Sequence, residues 1–449
     1  MSRKILIANR GEIAVRAIRA CREMGLKTVA VYTLADKESL HVKYADEAIC
    51  IGASKAIDSY MDPYRILSAA SVAHVDGIYP GSGFLSENSA FSQLCSETDI
   101  PFIGAGADVL DMLGDKIRAK EAAVAAGVPI VPASSRAMSS FEDCLIAAER
   151  IGYPVLLKAA DGGGGRGIRL VREKSEMQSA FRSCAKEALS AFGSDRIFVE
   201  KNVEQARHVE VQILIDSSGN AIHLFDRDCT MQRKHQKLIE EAVSPFVPPA
   251  IKERMYNDAL KTIRSLRYVG AATVEFLVDR DDHYYFMEVN PRIQVEHPVT
   301  ELVTGVDIVK EQLRVAFGEK LSVRTPPAPA GHAIEVRINA EDPAKGFISS
   351  VGKITKCVFP GGGGIRIETF IQDGIRISPY YDSMIAKIIA WAPDRELALK
   401  RILFALDELE IEGITTNAGF QKELLQTEEF VTGTSYTTFV EDYLENRNG

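Results

Sequence analysis

Apolar and polar positions change their period several times along the chain, and the changes mark out its elements. Lys4–Ala8 is a short apolar run that reads as a strand. Over Glu12–Met24, Ile13, Ala14, Ala17, Ile18, Cys21 and Met24 recur at helical spacing, with Arg16, Arg19, Arg22 and Glu23 on the other side. Gly25 stands where a helix C-cap is expected, and Lys27–Tyr32 is the next strand. Segments near Ala48–Ile51, Gly77–Tyr79 and Pro101–Ile103 continue the rhythm, which predicts a parallel α/β sheet. The first turn, Asn9-Arg10-Gly11-Glu12, lacks the three spaced glycines of a dinucleotide-binding turn.

A second region opens at Gly114-Asp115-Lys116, with a helix through Ala126 that Gly127-Val128-Pro129 ends. Tyr153–Gln212 reads as strand-rich around a glycine run, Met255–Leu266 as helix, and Ala271–Asn290 as two strands joined by a turn. The Pro/Ala stretch Thr325–Gly331 is a predicted domain boundary. Beyond it lie strands near His332–Ile338, Ile365–Glu368 and Met384–Ala390, then a helix over Arg395–Leu409. The expected division is 1–113, 114–330 (with a subdomain at about 131–203) and 331–449. At roughly 150 residues per domain, 449 residues fit three such units.

Composition narrows the class. With 46% hydrophobic and 26% charged residues the balance is that of a globular protein. The net charge of -9 argues against a nucleic-acid or membrane-surface binder, and no apolar run reaches the ~18 residues of a membrane span. No signal-peptide core follows Met1-Ser2-Arg3-Lys4. Seven scattered cysteines, never as C-x-x-C, predict buried free thiols in a reducing compartment, and so a cytoplasmic protein or an organelle protein whose transit peptide is missing.

Three stretches carry chemistry. Lys158 precedes Gly162-Gly163-Gly164-Gly165-Arg166-Gly167, and the following Ile168–Val171 reads as a strand. A glycine loop between strands suits covering nucleotide phosphates, because bare backbone N–H groups can approach the oxygens; a plain hairpin tip is the competing reading. Next, if Asp281-Asp282 is a two-residue turn, Glu275 falls opposite Glu288 in the hairpin. Facing carboxylates repel, and a hard divalent cation resolves the conflict. Third, Glu288, Asn290, Arg292, Gln294 and Glu296 occupy alternate positions, so an extended chain would put all five on one face. Acid, amide, guanidinium, amide and acid can bind a metal, clamp a small planar anion and supply a base. His208, Glu210 and Gln212 share a strand face, and Met231–Lys237 is a basic cluster in an acidic chain. No zinc spacing, P-loop or serine-hydrolase elbow occurs.

The chain resembles the biotin carboxylase subunit of biotin-dependent carboxylases, an ATP-grasp enzyme. The resemblance rests on Ile7–Ala14, Gly83–Asn88, Gly114-Asp115-Lys116 and Gly162–Gly167. It is strongest in Arg207–Glu210, Arg292–Glu301 (R-I-Q-V-E-H-P-V-T-E), Arg337–Pro343 and Tyr380–Met384. It implies an α/β and α+β fold: an N-terminal parallel α/β (pre-ATP-grasp) domain, a central ATP-grasp domain with a mobile glycine-loop lid, and a C-terminal mixed α+β domain. Lys116 and Lys158 match phosphate-contacting lysines, and Gly164 and Gly165 the lid. Glu200, Lys201, Asn202 and Val203 match the hinge beside adenine, with His208, Gln232 and His235 around the nucleotide. Glu275, Glu288 and Asn290 match ligands of Mg²⁺ or Mn²⁺. Lys237, Arg292, Gln294 and Val295 (through its backbone) match the bicarbonate site, Glu296 the base, and Arg337 the group facing biotin's enolate.

The implied reaction is ATP-dependent carboxylation of biotin with bicarbonate through carboxyphosphate. Ser82 stands where members usually carry Tyr, so biotin affinity or orientation is expected to differ. Val243 and Val351 replace common prolines, and Gly361–Gly364 lacks an aromatic found near the dimer contact in some members. No Ala-Met-Lys-Met biotinylation sequence occurs, so biotin is expected on a separate carrier protein and the carboxyltransferase on another chain. A homodimer is expected, and neither a nucleic-acid nor a membrane partner. Acetyl-CoA carboxylase, hence fatty acid biosynthesis, is the default assignment; a two-chain pyruvate or other acyl-CoA carboxylase is the alternative. An ATP-grasp ligase with another acceptor and a nucleotide-binding regulatory paralogue are the competing classes.

Overall fold

A computed structural model describes residues 2–160 and 167–448. The alternation at the N-terminus forms a four-stranded parallel sheet, ordered Glu47–Cys50, Lys27–Tyr32, Lys4–Ile7, Gly77–Tyr79. Ile5, Leu6 and Ile7 are fully buried, as strands covered on both faces must be. The helix Gly11–Glu23 crosses from this sheet toward the C-terminal strands. Pro101–Ile103 is no strand: it contributes one bridge, Phe102 to Ile78. Farther on, the chain breaks at Asp115, whose side chain accepts from the Ile117 and Arg118 amides and caps the helix Lys116–Ala125.

The region expected to be strand-rich contains a 16-residue helix, Met177–Phe192. With the helix Phe141–Ile151 it backs a three-stranded antiparallel sheet ordered Ile168–Val171, Val155–Ala159, Ile197–Lys201. Cys144, Leu157, Met177, Cys184 and Val199 form a small separate core between them.

The largest sheet has eight strands. In order they are Tyr284–Asn290, Gly270–Val278, Arg207–Ile215, Ala221–Arg233, Gln236–Ala242, His332–Asn339, Met384–Ala392 and Ile365–Thr369, each antiparallel to its neighbours. The ladder between Gln236–Ala242 and His332–Asn339 joins strands from both sides of the Pro/Ala stretch. Ile239, Ile334, Val336 and Ile388 bury one common core across that join.

Two turns decide what the sheet presents. In the Gly270–Asn290 hairpin the loop has three residues, not two: Asp279 N–H donates to the His283 carbonyl, and Asp282 adopts φ 62°. The Asp279 carboxylate accepts from the Asp281 and His283 amides and fixes that loop. The register is thus one residue off the expected one, pairing Phe276 with Phe286, until an irregularity beside Glu275 restores the step. Glu275 then lies opposite Glu288 after all. The basic cluster is a hairpin: Lys234 and His235, both at positive φ, join Arg233 to Gln236.

Candidate active site

One cavity of about 1600 Å³ opens between the three-stranded sheet, the eight-stranded sheet and the N-terminal region. It is lined by every described residue of the expected site: Lys116, Lys158, Glu200, Lys201, Asn202, Val203, His208, Gln232, His235, Lys237, Glu275, Glu288, Asn290, Arg292, Gln294, Val295, Glu296, Arg337 and Ser82. Gly164 and Gly165 lie outside the described residues.

The alternating polar residues from Glu288 do not stay on one extended face. The strand ends at Asn290, and the chain turns at Val295-Glu296 into the helix His297–Thr304. The groups converge nevertheless. Arg292 donates to Asn290 Oδ1 at 3.0 Å and Gln294 Oε1 at 2.5 Å, while its Nε pairs with Glu87. Asn290 and Gln294 each donate to Glu275 Oε1 at 3.0 Å.

At the centre stands Lys237. Its ammonium contacts Glu210 at 2.6 Å, Glu275 at 3.0 Å and Glu296 at 2.6 Å. Burial opposes its charge, but the three carboxylates outweigh burial and raise its pKa well above the ordinary value. Burial likewise opposes ionisation of Glu296, yet Lys237, Arg337 and Arg227 together hold its carboxyl well below the usual range. Glu275 is lowered in the same way by Lys237 and His208. Arg337 spans two acids, donating Nε to Glu240 at 2.6 Å and Nη2 to Glu296 at 3.1 Å. Burial and Glu296 push Glu240 up to about 7, against the pull of Arg337.

On the side of the cavity formed by the three-stranded sheet, Glu200 pairs with both Lys120 and Lys158. Against burial, Lys158 and Lys120 lower its carboxyl to about 2. Burial in turn lowers the Lys120 ammonium despite Glu200. His208 Nε2 lies 3.1 Å from Glu275 Oε2. At the N-terminal rim, Asn9 donates to the Pro80 and Ser82 carbonyls at 2.6 and 2.9 Å and holds the Ser82 loop. Arg10 is clamped by Asp36 and lies over the Tyr381 ring at 4.1 Å.

Among the described residues several acidic sets could hold a cation. His208, Glu210 and Glu275 offer ligand atoms within 4.8 Å of one another, but Lys237 already contacts both carboxylates. Glu288 differs. It faces Glu275 across the ladder, has no hydrogen bond or ion pair among the described residues, and is raised by burial and by Glu275. Glu288, an acid pressed against a second acid with no cation in contact with it, fits a divalent ion held by Glu275, Glu288 and the Asn290 amide oxygen, an ion that would displace Lys237 from Glu275 and Arg292 from Asn290.

Sequence reasoning passed over Lys120, Glu240 and Glu87, and gave Glu210 a face but no place in the site. Lys120 sits four residues beyond Lys116 in the same helix, so helical spacing could have found it. Glu240 had no local signal, and Glu87 lay in the Gly83–Asn88 string without a role, because their partners Arg337 and Arg292 are remote in sequence.

Paired lysines, facing acids and the Arg292–Gln294 pair thus meet in one cavity. Comparison with known proteins gives the family. Residues 1–110 match "Biotin carboxylase, N-terminal domain", 115–324 "Carbamoyl-phosphate synthase L chain, ATP binding domain", and 335–442 "Biotin carboxylase C-terminal domain". Biotin carboxylase 1 of Bacillus subtilis is 49% identical over 445 residues, 99% of each chain. A pyruvate carboxylase subunit of Methanothermobacter thermautotrophicus is 47% identical over 444 residues, 99% of this chain and 90% of that one. Among solved structures, the biotin carboxylase domain dimer of Hydrogenobacter thermophilus 2-oxoglutarate carboxylase, in complex with MgADP, ADP and bicarbonate, superposes with a TM-score of 0.95. It shares 45% identity, with 99% of this chain and 98% of that one covered. The chain belongs to the biotin carboxylase family of ATP-grasp ligases.

Proposed function

We propose that this chain carboxylates biotin borne by a separate carrier protein, using ATP and bicarbonate, as the first half-reaction of a biotin-dependent carboxylase. The observation that carries this reading is Glu296, a buried carboxylate held between Lys237 and Arg337 beside Arg292 and Gln294. Arg292, Gln294, Lys237 and the Val295 amide hold bicarbonate, and Glu296 takes its proton. The cations that keep Glu296 ionised also weaken it as a base, so bicarbonate must take over part of their charge before the proton moves. The bicarbonate oxygen then bonds to the γ-phosphorus of ATP and the β–γ bridge breaks, giving carboxyphosphate and ADP, with Lys116 and Lys158 neutralising phosphate charge. A divalent cation on Glu275, Glu288 and Asn290, when bound, supplies further charge neutralisation at the phosphates. Carboxyphosphate separates into CO₂ and phosphate. The phosphate accepts the N1′ proton of biotin, N1′ bonds to CO₂, and Arg337 faces the ureido oxyanion.

The three regions 1–113, 114–330 and 331–449 act as N-terminal, ATP-grasp and C-terminal units in this reading. The working form is a homodimer, supported by the dimeric Hydrogenobacter relative. A cytoplasmic location is supported by the seven free cysteines, five of them buried; against expectation Cys50 is exposed and Cys357 half-buried. The acceptor is chosen by the partner carboxyltransferase; acetyl-CoA, and so fatty acid biosynthesis, is our first assignment. The Methanothermobacter relative, which belongs to a pyruvate carboxylase, favours pyruvate as the second.

The test is ADP release from Mg-ATP with and without bicarbonate and free biotin. Bicarbonate-dependent release accelerated by biotin is expected. Release indifferent to biotin would direct attention to Ser82 and a Ser82→Tyr variant. Release without bicarbonate dependence would overturn the reading.

A further inference from the structure

Behind the turn that carries Glu296 lies a buried lysine that the reaction above does not use. Lys387, on the strand Met384–Ala392, is 0% exposed. Its Nζ donates to the Val295 carbonyl at 2.5 Å and pairs with Glu12 Oε2 at 3.3 Å. An ammonium taken wholly out of water loses its hydration, and an apolar side chain would fill an interior strand position without that loss. What the ammonium gains here is a grip on one peptide. The Val295 carbonyl and the Glu296 amide belong to the same rigid plane, so fixing the carbonyl fixes the direction in which Glu296 leaves the backbone. The preceding carbonyl, of Gln294, is 2.8 Å from His297 Nδ1, itself buried. Two consecutive carbonyls are thus tied down on the buried side of the turn while Gln294, Val295 and Glu296 line the cavity.

The anchor comes from far away in sequence. Glu12 lies in the first turn of the helix Gly11–Glu23, itself lines the cavity, and follows Asn9, which holds the Ser82 loop. One buried ion pair therefore connects the N-terminal rim, the turn bearing the base and the strand that lies beside Arg337, the ladder partner of Lys387.

We propose that Lys387, anchored by Glu12, is a positioning residue for the carboxylation reaction, holding the Val295–Glu296 turn so that the Val295 amide and the Glu296 carboxylate face bicarbonate together. This rests on the function proposed above and adds to it two residues that touch no reacting atom.

The test uses the full chain with Lys387→Met, which keeps the length of the side chain and removes the donor and the charge. ADP formation is measured against bicarbonate and, separately, against ATP. The expected result is a KM for bicarbonate raised on the order of tenfold, the effect of one charge-assisted hydrogen bond, with a fall in kcat and a KM for ATP within about twofold of the parent. A merely structural lysine would lower the active fraction and leave both KM values alone, or move them in parallel; either outcome overturns the proposal. Because Lys387→Met leaves Glu12 unpaired and removes the cation that most offsets the buried Glu335 carboxyl, Glu12→Gln and the double variant Glu12→Gln/Lys387→Met are measured beside it. The double variant is expected to recover part of the stability without recovering the KM for bicarbonate, and Glu12→Gln to raise that KM more weakly. If Lys387→Met does not fold, an unchanged bicarbonate KM in the other two overturns the proposal. A parent enzyme that forms ADP without bicarbonate would instead sink the function on which the proposal rests.

Discussion

Glu200 shows what a single side chain contributes here. It is buried between Lys120 and Lys158, and its carboxyl is lowered to about 2 from an ordinary 4.5. A depressed carboxyl binds fewer protons folded than unfolded, so its contribution is present above about pH 4.5 and is lost as pH falls through about 2. We expect denaturation midpoints of the parent to drop through that window, and those of Glu200→Gln to drop less. At neutral pH the variant leaves the buried Lys120 and the half-buried Lys158 facing each other without their acid and should be less stable by roughly 3 kcal/mol, measured by urea unfolding. Lys237 is the mirror case, one cation among three acids. Lys237→Met should destabilise the chain by about 3–5 kcal/mol and remove bicarbonate-dependent ADP formation by two orders of magnitude or more, read from steady-state rates. Glu296 was legible from the alternation of Glu288, Asn290, Arg292, Gln294 and Glu296 with apolar residues, and Glu275 from its expected place opposite Glu288, whereas Glu210 showed only a shared strand face. Lys387 and Glu240 were not, since a charged residue in a strand looks the same in sequence whether it faces water or a remote partner.

At the scale of elements, the hairpin Gly270–Asn290 reached its predicted pairing by an unpredicted route. The sequence Asp279–His283 fits a two-residue turn and a three-residue loop equally well. The side chain of Asp279, accepting two amides, selects the longer one and puts Asp282 in the left-handed region. A left-handed residue with a side chain is disfavoured by roughly 1–2 kcal/mol, less for Asp than for a β-branched residue. Asp282→Gly should therefore be neutral or stabilising by up to about 1 kcal/mol, and Asp282→Val destabilising by about as much, in thermal or urea unfolding. Both should leave the KM for ATP unchanged, because Asp282 does not line the cavity. The helix Met177–Phe192 was missed for another reason. Its apolar face, with Met177, Cys184 and Ala188, is plain at helical spacing, but the glycine run and the flanking strands drew the whole region into one strand-rich reading.

At the scale of the molecule, the Pro/Ala stretch at 325–331 looks like a division, yet the eight-stranded sheet runs straight across it. Local composition reports where the chain lacks regular structure; it is silent on which strands pair afterwards. Pairing of Ile239 with Val336 and of Ala242 with Ala333 makes the strand bearing Lys237 and the strand bearing Arg337 neighbours, so the cavity depends on that ladder. Gly331 begins it. Its φ is +72°, and an added Cβ would run into the Ala392 carbonyl on the next strand. Gly331→Ala should thus combine the left-handed penalty with a backbone clash and destabilise by about 2–4 kcal/mol. The loss should appear at a distance. Amides of Ile239–Ala242 and of Ala333–Val336 should lose hydrogen-exchange protection together, because one cooperative sheet opens as a unit. Biotin-stimulated and bicarbonate-dependent ADP formation should both fall, since Arg337 and Lys237 move with these strands while Lys116 and Lys158 do not. Retained protection in Ile239–Ala242 alongside loss in Ala333–Val336 would mean that the two sides of the stretch unfold separately, and the coupling argued from the ladder would be wrong.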